Sequence, residues 1–346
     1  MSGTSLDGLD IACCTFIKKE KGWTQTIHTA TTLRYSSSWK KKLSEAHTYT
    51  SEELVNLHHA YGNFLGTEVK KFMQANSIRK IDFIASHGHT IFHQPSKGFT
   101  FQLGDGHALY AASGVPVIYD FRSLDVAKGG QGAPLVPIGD QLLFHQFDVC
   151  LNLGGIANLS REVKGQRIAY DVCFANMGLN YLMEKIKKEF DKEGALAAQG
   201  ELNVPLLTAL TKRYDRYRTN RPSLGREDFE KYFVPLLDNE KIKLSDRLHT
   251  FTESIAIEIA TAIGKEKQQR ILLSGGGAFN SFLLYRMVDL CGDENMLVVP
   301  EEEVIKFKEA LVFAFLGVLR FRKEVNTLKS VTHAFSNSSS GVMIGF

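Results

Sequence analysis

The spacing of apolar and polar positions divides the chain into short strands and amphipathic helices. Residues 9–17 are an almost unbroken apolar stretch fit for a strand, and residues 24–33 read as a second one. Over residues 51–76 the period changes. Leu54, Leu57, His58, Tyr61, Phe64, Leu65, Val69 and Phe72 recur every three or four positions, which predicts a helix with one apolar face. Residues 81–86 predict a short strand, residues 99–103 the return limb of a hairpin, and residues 115–121 a further strand. The pattern then restarts. Residues 148–153 and 156–159 predict strands joined by a Gly154-Gly155 turn, residues 167–170 a third that ends at Asp171, and residues 176–190 a helix. Residues 188–246 are rich in Lys, Glu, Asp and Arg and predict a solvated middle. Beyond it come a helix (250–263), a strand (270–273), three glycines opening another helix, and an apolar-faced helix (303–323) carrying Lys308 and Glu309.

The echo of strand, glycine turn and strand in both halves is what a duplicated nucleotide-clamping fold shows. A chain of 346 residues suits two domains. The expected division is 1–134 and 135–346, with the last helix a candidate to cross back. The boundary falls in residues 125–137, where Gly129, Gly130, Gly132, Pro134 and Pro137 make a shaped loop. A linker and a cleft-lining loop both fit that stretch.

Composition narrows the class. A hydrophobic fraction of 44% with 23% charged residues is that of an ordinary globular protein. A net charge of +3 is too mild to argue for nucleic acid, and runs such as Lys40-Lys41-Lys42 read as a solvated helix face. The five cysteines include no CxxC pair, so they read as thiols in a reducing compartment, with Cys13 and Cys14 on opposite faces of one strand. No signal peptide is visible, and the longest apolar run, residues 310–319, is too short to span a bilayer. The expectation is a cytoplasmic protein without membrane or nucleic-acid partners.

Candidate chemistry sits at the glycine turns. Gly3, Thr4, Ser5, Leu6, Asp7, Gly8 and Asp10 surround a turn whose amides suit a bound anion, and Asp7 places a carboxylate there that suits Mg²⁺. An ordinary hairpin fits the same residues. Gly154 and Gly155 form a second such turn. Gly275, Gly276 and Gly277, followed by Asn280, allow the backbone to approach a flat ring or a phosphate closely. His87, His89 and His93 follow a short strand. They admit a zinc reading, but no thiol or carboxylate stands at ligand spacing, and imidazoles hydrogen-bond sugar hydroxyls well.

Taken in order, these turns resemble the phosphate and adenosine elements of the actin, Hsp70 and sugar-kinase superfamily. The strings Ser2-Gly-Thr-Ser-Leu-Asp-Gly8, His87-Gly-His-Thr90, Gln102-Leu-Gly-Asp105, Asp120-Phe-Arg122, Asp125 to Pro137, Leu151 to Asn158 and Gly275 to Asn280 resemble the anhydro-N-acetylmuramic acid kinase family, from residue 2 to about residue 341. The resemblance implies an α/β, two-domain, actin-like (ribonuclease H-like) fold with a deep interdomain cleft. It also implies a cytoplasmic homodimer that uses ATP and Mg²⁺ on a small-molecule amino sugar. The implied reaction converts 1,6-anhydro-N-acetylmuramic acid to N-acetylmuramic acid 6-phosphate in peptidoglycan recycling. By that resemblance Asp171 is the general base, and a helix N-cap is its alternative role. The first turn, Gly154, Gly155, Gly275–Gly277 and Asn280 hold ATP, with Asp7 near Mg²⁺. His87, Asp105, Arg122, Asp125, Asn176 and Glu309 are the sugar candidates. Arg122 suits a lactyl carboxylate, and a domain-locking ion pair fits it equally.

Three departures stand out. Val172-Cys-Phe174 replaces the family's Thr-Gly-Pro after the base, His89 stands where the family has Gln, and His333 stands where it has Gly. The family also has a strand before the first glycine turn, so the resemblance implies a first strand truncated at Met1. Two other functions remain compatible with the sequence: a kinase of the same fold for another sugar, and a non-catalytic nucleotide or muropeptide sensor.

Overall fold

In the computed structural model, which describes residues 1–346 apart from Thr4, Ser5, Asp7, Lys21, Lys265, Asp293 and Glu294, the first apolar stretch forms a long hairpin. Its strands β1 (Leu9–Lys19) and β2 (Gly22–Leu33) pair antiparallel, from Leu9 opposite Leu33 to Lys19 opposite Gly22. A bulge between Cys13 and Cys14 breaks the register, and all five cysteines are free thiols. Helix α1 (Ser37–Glu45) is capped by the Ser36 hydroxyl, and α2 (Ser51–Ala75) by a reciprocal pair of bonds between Thr50 and Glu53.

Strands β3 (Ile84–Ser86), β4 (His89–Gln94) and β5 (Phe99–Leu103) follow, with β4 and β5 a hairpin. Next come α3 (Gly106–Ser113), β6 (Val117–Tyr119), α4 (Ser123–Ala127) and α5 (Pro137–Leu143). Tyr61 and Leu65 of α2 pack with Leu103, Leu109 and Val117 in one apolar cluster. Gly62 and Gly66 set how closely α2 meets α3. A Cβ at either would stand 2.4 Å from the Asp105 carbonyl oxygen or 2.6 Å from that of Leu109.

Strands β7 (Val149–Leu153), β8 (Ile156–Val163) and β9 (Gln166–Phe174) make an antiparallel meander that leads into α6 (Asn176–Glu184). Here the structure departs from the sequence reading. β9 runs through Asp171 to Phe174 instead of ending at Asp171, and α6 is shorter than expected. The predicted solvated middle holds α7 (Val204–Asn220), α8 (Arg226–Tyr232) and α9 (Val234–Leu237). Leu206, Leu210, Tyr214 and Tyr217 recur along one buried face of α7, while its charged residues occupy the other faces. Helix α10 (Leu244–Ile263) starts earlier than predicted and buries Leu248, Phe251, Ile255 and Ile259.

Strand β10 (Arg270–Ser274), α11 (Ser281–Cys291) and β11 (Met296–Val298) complete a five-stranded sheet in the order β11-β10-β7-β8-β9. The β10 and β11 strands run parallel to β7. Three antiparallel strands extended by two parallel ones beyond the first are the ribonuclease H-like arrangement of the expected α/β fold.

Helix α12 (Glu302–Phe321), α13 (Lys329–Thr332) and β12 (Val342–Ile344) follow, and β12 joins β6 and β3 in the order β12-β6-β3. The chain forms two compact units, Met1–Leu143 with Phe307–Phe346, and Phe144–Lys306. Residues 134 and 135, the boundary read from the sequence, fall inside the first unit. Phe16 and Trp23 hold the first hairpin against Phe315 of α12, with ring centroids 5.2 and 5.1 Å apart. Among the described residues no helix is long and apolar enough to cross a membrane.

Candidate active site

In the second unit, the ends of β7, β9 and β10 bring most of the predicted glycines together. The Gly154 carbonyl accepts the Asn176 N–H at 3.1 Å, and the Gly155 carbonyl accepts those of Ala175 and Met177. The Asn176 side-chain amide donates to the Leu153 carbonyl at 3.0 Å, so the start of α6 is tied to the end of β7. From β10, Gly275 and Gly277 lie on the same strand end. A Cβ at Gly275 would stand 2.6 Å from Asn152 Oδ1, and one at Gly277 would stand 2.7 Å from Leu153 Cβ. Only glycine permits this approach, and Gly275 also needs its φ of +78°.

The outer positions are open. The atom nearest a Cβ at Gly276 is Asn176 Nδ2 at 3.7 Å, and the nearest to one at Gly155 is on Met177 at 3.8 Å. The result is a shelf of exposed backbone that a flat base or a phosphate can approach. Asn280 has another task. Its side-chain oxygen accepts the Leu283 N–H at 3.0 Å and caps α11, which begins after a 3-10 turn and not at the glycines.

Asp171 sits within β9, opposite Asn158, and borders a small cavity of about 120 Å³ with Tyr170, Arg218, Arg221 and Glu258. Its Oδ2 accepts the Leu224 N–H at 2.9 Å. Burial pushes its carboxyl above the usual range, against the opposing bonds from Leu224 and Ser223. An N-cap role is excluded, since Ala175 precedes α6 and makes no side-chain cap. Arg218 is engaged by Glu258 and Asp215, and Arg221 lies 3.9 Å over the Tyr170 ring. The hydrogen bonds of Asp171 go to the 223–224 loop, not to the glycine shelf. Sequence reasoning missed this surround because Arg218 and Arg221 lie in a charged run that reads as solvated, and only long-range contact distinguishes them.

In the first unit, the expected phosphate and Mg²⁺ residues Thr4, Ser5 and Asp7 lie outside the described residues. Of their neighbours, the Gly3 carbonyl accepts the Leu6 N–H at 3.3 Å, and Leu6 has a φ of +60°. A Cβ at Gly8 would stand 2.7 Å from the Leu33 carbonyl oxygen. Asp10, expected near phosphate, accepts the Thr32 hydroxyl at 2.6 Å and so braces the hairpin. Among the described residues no group of three His, Cys, Asp or Glu side chains suits a metal ion, the three histidines included.

The structure brings His87, Arg122 and Glu309 together. Arg122 Nε donates to His87 Nε2 at 3.0 Å and its Nη1 to the Gly132 carbonyl at 2.7 Å, while the guanidinium lies over Phe313. Burial lowers Arg122 to about 10, with Glu309 opposing, and holds His87 well below the usual imidazole range with help from the Arg122 charge. Desolvation pushes the Glu309 carboxyl up and Arg122 draws it back down, although the side chain reaches solvent.

Asp105 and Asp125, expected near the sugar, both take structural places. Asp125 is 0% exposed, with its two oxygens accepting the Gly132 N–H and the Thr332 hydroxyl, both at 2.8 Å. Asp105 caps α3 through the Ala108 N–H and stands among His58, His59 and His107 at 3.8, 3.2 and 3.6 Å. His89, named in the sequence both among the three histidines and as a departure from the family, lies 2.8 Å from the buried Ser2 hydroxyl, which Tyr35 also reaches.

A family profile described as anhydro-N-acetylmuramic acid kinase matches residues 1–345. A protein of that name from Francisella tularensis subsp. novicida is 34% identical over 363 residues, covering 97% of this chain and 95% of its own. One from Mannheimia succiniciproducens is 32% identical over 364 residues, covering 99% and 97%. One from Sulfurovum sp. is 31% identical over 355 residues, covering 99% and 96%. Among solved structures, a hexokinase from Schistosoma mansoni complexed with glucose covers 89% of this chain and 84% of its own, at 10% identity and a TM-score of 0.36, a likeness too slight to argue from.

Proposed function

The chain belongs to the anhydro-N-acetylmuramic acid kinase family and acts as a sugar kinase in amino-sugar recycling; we propose that Asp171 is its general base and that the glycine shelf of the second unit holds its ATP. The sugar that gives the family its name has no free 6-hydroxyl, so phosphate transfer must accompany ring opening. Water attacks C1 and forms the new C1–O bond while the C1–O6 bond breaks. O6 takes the γ-phosphoryl group as the bond from phosphorus to ADP breaks, and the attacking water gives its proton to Asp171.

One observation carries this reading. Asp171 is a half-buried carboxylate with a raised proton affinity, anchored on one oxygen by the Leu224 N–H. Anchoring fixes its direction, and the raised affinity makes it a better proton acceptor than a solvated aspartate. A positioned base of this kind contributes about 10²–10⁴-fold. Asn176 orders the shelf from below, and Gly155 and Gly276 leave its face open to the nucleotide. In the first unit, His87, Arg122 and Glu309 suit the hydroxyl, carboxylate and amide groups of an amino sugar.

Mg²⁺ belongs to this proposal as a companion of the ATP phosphates, where it would neutralise charge. The described residues offer it no ligand cluster of their own, and no step is routed through it. A homodimeric assembly and a cytoplasmic location are part of the same proposal and rest on the family resemblance.

The test is mass spectrometry of the sugar after incubation with the anhydro sugar, Mg-ATP and ¹⁸O-water. The expected product is a sugar phosphate with ¹⁸O at C1, reduced at least about 10²-fold in a folded Asp171→Asn protein. Product without ¹⁸O would replace ring-opening by phosphorylation of an ordinary hydroxyl. An Asp171→Asn protein of undiminished rate would remove Asp171 from the chemistry.

A further inference from the structure

Three polar side chains stand in one row across the sheet of the second unit. Asn152 of β7 is paired directly with Asn158 of β8, and Asn158 in turn with Asp171 of β9. Directly paired residues project from the same face of a sheet. Their sequence neighbours Leu151, Leu153, Ala157 and Leu159 belong to the apolar cluster, so alternation turns Asn152 and Asn158 to the other face. Asn152 lies at the glycine shelf, where its Oδ1 is 2.6 Å from a Cβ built at Gly275. The row therefore runs from the shelf, through Asn158, to Asp171.

Other asparagines of this unit have tasks in the fold. Asn176 ties α6 to the Leu153 carbonyl, Asn280 caps α11, and Asn295 accepts the Gln269 N–H and donates to the Cys291 carbonyl. Asn152 and Asn158 are half-buried, and among the described residues their side-chain amides have no hydrogen-bond partner. Such an amide calls for a partner from outside the fold. Asp171 draws its own bonds from Ser223 and Leu224 and none from Asn158. The Cβ atoms of a directly opposed pair are about 5 Å apart, so an amide and a carboxylate that do not bond each other leave a gap that one water can bridge. Strand β9 is also bulged here. Val172 is the extra residue between Asp171, opposite Asn158, and Cys173, opposite Ala157. A bulge of this kind re-aims the side chains beside it.

We propose that Asn158 holds the attacking water together with Asp171. The inference rests on the reading of Asp171 as the base and supplies a second contact to the nucleophile. A water that gives one proton to Asp171 has a second hydrogen to place. Bonded to the carboxamide oxygen of Asn158, that hydrogen leaves a lone pair of the water to aim at C1. Asn158 neither gains nor loses a proton. It fixes the line of attack while the C1–O bond forms, the C1–O6 bond breaks and Asp171 takes the proton. Asn152 stands two strands from Asp171, about 10 Å along the row, and so belongs to the shelf instead.

The test offers methanol as a competing nucleophile. The parent, Asn158→Ala, Asn158→Ser and Asp171→Asn are incubated with the anhydro sugar and Mg-ATP in ¹⁸O-water with and without methanol, and the products are followed by mass spectrometry. Asn158→Ala is expected to lose about 10²-fold in kcat with a sugar KM within about threefold of the parent. With methanol present it is expected to form a methyl glycoside phosphate that the parent does not, because a methyl group fits where the amide stood. Asn158→Ser keeps a hydroxyl without the reach, is expected to fall between the two, and carries the test if Asn158→Ala does not fold. A parental kcat in either folded variant overturns the proposal. A lower kcat with water still the sole nucleophile also overturns it, since the amide then supports the fold and not the water. Either result beside an inactive Asp171→Asn leaves the base in place and removes Asn158 alone. A parent product without ¹⁸O removes the attacking water, and this proposal falls together with ring opening.

Discussion

The two units solve the same problem with different completeness. In the second, five strands form one uninterrupted sheet, and a single apolar cluster runs from Val149 to Ile305. In the first, the strands among the described residues fall into three separate sheets, and β1 and β3 both border a cavity. The candidate chemistry differs in kind as well. The second unit offers bare backbone at the end of strands whose apolar residues are fully buried, so its shelf rests on close-packed core. The first offers ionisable side chains, His87, Arg122 and Glu309, whose proton affinities are shifted by burial and by one another. A site made of backbone needs a complete sheet. One made of side chains tolerates an open sheet but depends on pH.

The sharpest way to break this comparison is to remove a side chain from each unit. Leu273, fully buried on β10, is expected to cost about 2–5 kcal/mol as Leu273→Ala, because the close-packed surround leaves a new void. Val69, which already borders the first unit's cavity, is expected to cost under about 1.5 kcal/mol as Val69→Ala. Chemical denaturation of both variants checks the pair. Equal losses would show that the cavity wall is packed as tightly as the second unit's core.

How far each unit was legible in the sequence follows the same line. Helix α2 and strands β7 and β8 were visible because each buries a regular apolar pattern, and β1 because its apolar run is nearly unbroken, although most of that run is only half-buried. The helices α7 to α9 were hidden because their charged faces dominate the composition, and a stripe of Leu206, Leu210, Tyr214 and Tyr217 is narrow within it. The glycines of the shelf could be picked out singly, and the structure shows what joins them: the end of β7 at Asn152 and Leu153. Asp105, Asp125 and Asn280 take on structural tasks that the sequence did not announce, because a carboxylate or amide that caps a helix or locks a loop has the same letter as one that meets a ligand. The surround of Asp171 was out of reach, since it spans 53 positions to Leu224.

A smaller effect separates rigidity from access within the shelf. Gly277→Ala places a Cβ 2.7 Å from Leu153 Cβ and is expected to cost about 1–3 kcal/mol of stability. Gly276→Ala meets nothing nearer than 3.7 Å and is expected to stay within about 0.5 kcal/mol of the parent. Both are expected to weaken ATP binding in calorimetry, the first through distortion and the second through a methyl on the open face. Full ATP affinity in folded Gly276→Ala would take the nucleotide off this shelf.

The smallest effect is a matter of sign. His89 is buried beside Ser2, and desolvation lowers its imidazole to about 4, against 6.5 in the unfolded chain. Between those two values the unfolded chain holds a proton that the folded chain refuses, so the folded first unit loses stability as pH falls from 6.5 toward 4, at most about 1.4 kcal/mol per pH unit from this group. Asp171 in the second unit acts oppositely. Its raised affinity binds a proton more readily folded than unfolded, so acidification favours the folded state there and the contribution is lost as pH rises. Replacing His89 by Gln keeps a hydrogen-bonding partner for Ser2 and removes the titration. His89→Gln is therefore expected to melt within about 1 kcal/mol of the parent at pH 7 and to decline less steeply between pH 6.5 and 4.5. An unchanged decline would place the acid sensitivity on other groups, with His87 and the Met1 amine, both depressed by burial, the next to examine.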